Sequence, residues 1–138
     1  MNAATAYQNN SIASASPVGL VILLYQGALV QLRRAIAAMD AQPNSIRDIE
    51  IRTSALNRVL AIVGELQRIL DFERGGEVAR NFDRFYRLTQ TAILSAVTQR
   101  EAQPLRDILP LFQNILEAWR TAESRPQAAP GASAAWTA

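Results

Sequence analysis

Asp71 and Glu73 flank Phe72, Glu77 lies nearby, and Arg74 and Arg80 are at hand. Carboxylates alone would suit a hard cation such as Mg²⁺ or Ca²⁺, which takes oxygen ligands. Salt-bridged helix ends account for the same residues more simply, because acidic side chains favour helix N-termini and arginines pair with them. Gly75-Gly76 superficially resembles a phosphate-cradling turn, yet no P-loop or G-x-S-x-G motif surrounds it. The 138 residues contain no His and no Cys, so the usual general base, the usual metal ligand and any thiol nucleophile are missing. The reading is therefore no catalytic residue, no metal and no cofactor.

Charge is equally unspecific. All 14 basic residues are Arg, against 12 acidic ones, and they scatter from Arg33 to Arg125 with only Arg33-Arg34 adjacent. A nucleic-acid surface gathers such charge into a patch or stripe, so no nucleic-acid partner is expected. The longest apolar stretch, Val18 to Val30, is broken by Gln26 and falls short of the roughly 20 residues that span a bilayer. A buried helix is expected there, without membrane insertion. The first residues lack the basic and apolar regions of a secretory signal, and a Cys-free chain suits a reducing, cytoplasmic setting.

Periodicity then defines the elements. Residues 1–16 read as an extended arm whose only large apolar groups are Tyr7 and Ile12. Ser16 as N-cap and Pro17 at the first helical position start a helix running to about Met39. A second helix is expected from about Ser45 to Phe72, with Gly75-Gly76 turning the chain into a third from Glu77 to Gln99. Pro104 starts a fourth, in which Pro110 should kink or restart the backbone. Residues 17–123 thus form an all-α, antiparallel up-and-down four-helix bundle, and 124–138 a flexible tail rich in Ala, Pro, Ser and Gly.

The second helix carries apolar residues over an arc of about 180°, where a single core stripe needs little more than 100°. Ile51, Ala55, Val59, Ile62, Leu66 and Ile69 belong to that arc, and Leu111 and Ile115 to a similarly broad face on the fourth helix. Surplus apolar surface on a soluble bundle marks a partner site, and a groove between helices accepts an amphipathic partner helix. Self-association into a homodimer would hide the same surface.

Several sequence blocks carry a family resemblance. Ala6-Tyr7-Gln8-Asn9-Asn10-Ser11-Ile12, then Ala15-Ser16-Pro17 and Leu24-Tyr25-Gln26-Gly27-Ala28, open the chain. Glu65-Leu66, Leu70-Asp71-Phe72-Glu73, Gly75-Gly76-Glu77-Val78-Ala79, Asn81, Phe85-Tyr86 and finally Ala118-Trp119 follow in order. Together they resemble the flagellar secretion chaperones of the FliS family, over roughly Tyr7 to Ala122. The resemblance implies a cytoplasmic four-helix bundle that binds the C-terminal segment of flagellin, prevents premature polymerisation and delivers it to the flagellar type III export gate. It also implies that Tyr7 takes part in docking to an export gate protein, with Ile12 in the same arm, and that the arm can cover the client groove. Ser16, Pro17, Gly75 and Gly76 are structural caps and turns in this reading, and the free protein is a monomer or weak homodimer. Gly19, Phe85 and Pro110 depart from the family pattern, as does the length of the tail.

Overall fold

The computed structural model describes residues 16–42 and 44–124; the arm with Tyr7 and Ile12, and the tail after Ser124, lie outside them. Four helices follow one another: α1 (Pro17–Asp40), α2 (Ile46–Arg68), α3 (Phe72–Gln99) and α4 (Gln103–Ser124). No strand occurs among the described residues. Short connections make consecutive helices antiparallel. α1 packs along α2 on one side and α4 on the other, and α3 closes the ring against both.

Local chemistry sets most helix ends. Ser16 Oγ accepts from Gly19 N at 3.0 Å, with Pro17 next, where its missing N–H costs nothing. Ser45 and Asp48 form a reciprocal capping box at the start of α2. The Ser45 N–H and hydroxyl hold the Asp48 carboxyl below the usual range. Asn44 Nδ2 donates to Ala38 O at 3.0 Å, satisfying one of the last carbonyls of α1. α3 ends at Arg100, the one non-glycine residue with a left-handed backbone among those described (φ 56°).

The α2–α3 corner differs from the expected one. α2 stops at Arg68, and Ile69–Asp71 make the reversal, well before Gly75-Gly76. Asp71 is the reason: its carboxylate accepts from Arg74 N at 3.1 Å, so a new helix starts at Phe72. Gly75 is buried within that first turn, and Gly76 (φ 50°, ψ −124°) is the break inside α3. Its left-handed φ suits a residue without Cβ. Glu77, as expected, opens the helical run that follows this break, and it pairs with Arg80 and Arg84.

At Pro110 α4 does not restart but continues as one helix. Pro110 is exposed, and water can take the Arg106 carbonyl that loses its in-helix donor there. The Arg106 guanidinium itself pairs with Asp40, joining the start of α4 to the end of α1.

The core contains Val21, Tyr25, Leu32, Val59, Val63, Leu66, Tyr86, Leu105 and Phe112, all fully buried. Among the described residues, α1 is long and apolar enough to cross a bilayer by length and hydropathy, but its Val21, Tyr25, Ala28, Leu32 and Ala35 side is spent on this core. Leu66→Ala should destabilise the bundle by about 2–5 kcal/mol, as cavity formation in a packed core does. Urea unfolding followed by circular dichroism measures it.

Candidate docking cleft on a rigid aromatic floor

α3 carries Phe82, Phe85 and Tyr86 within little more than one turn, because positions three and four apart share a helix face. α4 meets them with Phe112 and Trp119. Phe82 stacks on Trp119 at 5.7 Å between centroids, and Phe85 tilts against Phe112 at 4.8 Å. Tyr25 of α1 reaches Phe112 at 5.4 Å and Tyr86 at 6.4 Å. The two tyrosine hydroxyls lie 2.9 Å apart, fully buried, and satisfy each other. Three helices are thus joined by one aromatic cluster containing a single phenol–phenol hydrogen bond.

Burial pushes both phenols well above their ordinary value near 10, and in Tyr86 the neighbouring Tyr25 adds to the rise. Both are neutral throughout the ordinary pH range.

The outer side of this cluster is open. Val78, Asn81, Phe82 and Phe85 from α3 face Leu111, Asn114 and Ile115 from α4 across a cleft of about 430 Å³. Phe82, Phe85 and Ile115 are half-buried and packed against the core, forming the floor. Leu111 is 40 % exposed, and Leu88, one turn beyond Phe85, is 52 % exposed. Asn81 and Asn114 supply amides at the cleft, the Asn81 Oδ1 accepting from Arg84 at 2.8 Å.

Of the residues expected to line a groove, Leu111 and Ile115 come together here. Ala55, Val59 and Leu66 do not line any groove: each is wholly buried in the core. Ile62 and Ile69 are half-buried against that core, and Ile62 Cδ1 would lie 3.2 Å from a Cβ placed on Gly27, which puts it on the α1 side. Ile51 is half-buried on the same α2 arc. The arc is broad because α2 has two neighbours: α1 uses one side and α3 the other. Val78, Phe82 and Phe85, which complete the cleft from α3, are not among the residues expected to line a groove. Two phenylalanines three residues apart on an already wide apolar face were the available signal.

The acidic corner holds no cation-binding geometry. Among the described residues no three His, Cys, Asp or Glu side chains converge. Asp71 caps α3, and Glu77 is held below the usual carboxylate range chiefly by its bond from Arg80.

The family model described as “Flagellar protein FliS” matches residues 1–126. The chain belongs to the FliS family. FliSB of Pseudomonas aeruginosa, named a flagellar secretion chaperone, is 32% identical over 86% of this chain and 94% of its own length. The FliS proteins of Campylobacter jejuni (32% identical; 83% of this chain, 86% of the relative) and Salmonella typhimurium (31%; 80% and 79%) carry the same description. FliS is a family of chaperones and not of enzymes.

Tyr86→Phe removes the phenol partner of the Tyr25 hydroxyl and leaves it the Trp119 indole, so it should cost about 1 kcal/mol. The unfolded chain releases the phenolic protons near pH 10 while the folded one retains them. Stability should therefore be intact below pH 10 and fall as pH rises above it, less steeply in a Tyr25→Phe, Tyr86→Phe double variant. Thermal melts from pH 8 to 11 check both.

Proposed function

We propose that this FliS-family chain is a cytoplasmic flagellar export chaperone whose α3–α4 cleft receives the C-terminal segment of flagellin. The observation that carries the reading is an open, largely apolar cleft whose floor is held by ring contacts to the core. A disordered amphipathic segment gains about 25 cal/mol per Å² of apolar surface buried, and its ordering entropy is subtracted from that gain. Folding it on the chaperone hides the face through which it would polymerise. Asn81 and Asn114 can bond client backbone that has not closed its own hydrogen bonds.

In this reading Ile51, Ile62 and Ile69 support the bundle rather than the client. Tyr7 and Ile12 of the arm dock to the export gate protein of the type III apparatus. No nucleotide, metal or cofactor takes part.

Leu111→Asp places a charge on an already exposed wall, so the fold should persist with Tm close to that of the parent. Its affinity for a synthetic flagellin C-terminal peptide should fall at least tenfold, about 1.4 kcal/mol, by calorimetric titration. Equal affinity in the variant would remove the cleft from the reading.

A second reading, self-association, draws on Ile46 (78 % exposed) and Leu60 on α2 with Leu94 (64 % exposed) and Val97 on α3. Light scattering separates the two. A monomer converting to a one-to-one complex with flagellin supports the chaperone, whereas a stable dimer that ignores flagellin supports self-association.

A further inference from the structure

We infer that the chain's own C-terminal tail, anchored by Trp136, seats in the α3–α4 cleft and competes with the client for it. This control of access rests on the reading of the cleft as the client site; the seating itself does not.

The geometry begins at the end of α4. Phe82 stacks on Trp119, so Val78, one helical turn earlier on α3, lies toward the last turn of α4. The Val78 end of the cleft therefore opens beside Ser124, where the tail departs from the cleft's own wall. Reaching back from Ser124 to the level of Ile115 takes nine residues of α4, about 13 Å at 1.5 Å per residue. The twelve residues from Ser124 to Trp136 can extend to about 40 Å, ample for a reversal and a return. Pro126 just past the helix end cannot continue the helix, and Pro130-Gly131 allow a further turn.

Chemistry selects this cleft over its neighbour. After Arg125 the tail has no ionisable side chain: it reads PQAAPGASAAWTA. The α1–α4 cleft beside it is lined by Arg33, Glu117 and Arg120 with several side-chain amides, which an uncharged Ala-Pro-Trp segment would desolvate without compensation. The α3–α4 cleft instead offers two phenylalanine rings, a valine, a leucine and an isoleucine, on which an indole packs. Trp136 is the tail's only large apolar group. The competing segment lies beyond residue 126, where the family match ends. As a tethered ligand it acts at a high local concentration and needs no great intrinsic affinity.

Fluorescence tests the seating without any client. The chain has two tryptophans, and Trp119 is buried at 2 % exposure, so subtracting the emission of Trp136→Phe from that of the intact protein isolates Trp136. In the intact protein its emission should be blue-shifted and several-fold less accessible to acrylamide than a free tryptophan. Leu111→Asp should restore full accessibility. Emission and quenching equal to those of free tryptophan in the intact protein would overturn the inference. So would shielding that disappears on dilution, which would place the tail on a second copy.

A tail seated nine times in ten raises the apparent Kd of a competitor about tenfold. Truncation after residue 126 should therefore tighten binding of the flagellin C-terminal peptide by about that factor, and Trp136→Ala by nearly as much. Unchanged affinity would overturn the competition. Should the peptide bind neither form, the client reading of the cleft fails, while the shielding of Trp136 is decided by the quenching result alone.

Discussion

The hydrogen bond between the Tyr25 and Tyr86 hydroxyls is the constraint on which the arrangement of the bundle depends. It is a buried polar link in an apolar interior, so it forms only when α1 and α3 face each other across the ring in one register. A purely aliphatic core tolerates small slides of one helix on another; two phenols that must meet do not. Phe112 and Trp119 then bring α4 into the same assembly through ring contacts with Tyr25 and Phe82. The cleft floor is the outer surface of this assembly, which is why it stays open instead of collapsing. Phe82 and Phe85 already have partners beneath them and cannot rotate inward to fill the space between α3 and α4.

The opposite edge of α3 is handled with polar groups. Gln90 Nε2 donates to Gln67 Oε1 at 3.0 Å, and Gln67 lies within 3.5 Å of Asp83, whose carboxylate also takes Arg87. These bonds close the α2–α3 seam with side chains that need no apolar cover. α3 is thus fixed on its α2 side by directional bonds and on its inner side by aromatic packing. The α4 side is left with more apolar surface than it has neighbours to cover.

Much of this architecture was legible in the sequence. The four helices, the Ser16-Pro17 start and the excess of apolar helix face follow from period and capping chemistry. The placement of that excess did not follow. A helical wheel measures how wide an apolar face is, but not how many neighbours share it. On α2 the broad arc through Ala55, Val59 and Leu66 is what contact with both α1 and α3 requires. On α3 a face of similar look, through Val78, Phe82 and Phe85, is only partly matched, because bulky rings hold α4 away at the surface. The α2–α3 corner was misread for a related reason. A glycine pair is a strong local signal, and it outweighed Asp71, whose capping bond decides where the helix begins.

A cleft of this size also fits a binder that has to let go. About 430 Å³ accommodates a few side chains rather than a whole client helix, so the apolar gain available at this one site is modest. The ordering of a disordered segment subtracts from that gain. Tight, slow-release binding would need a deeper apolar trough, and the apolar side chains of α1 and α2 that stay exposed, Val30, Ile46, Ile49 and Leu60, are spread along two helices while the rest are packed into the core. Affinity on such a surface is therefore built from several weak contacts, each of which a competing segment can displace in turn. Handing a client to the next partner then requires the stepwise exchange of small apolar contacts and no input of chemical energy.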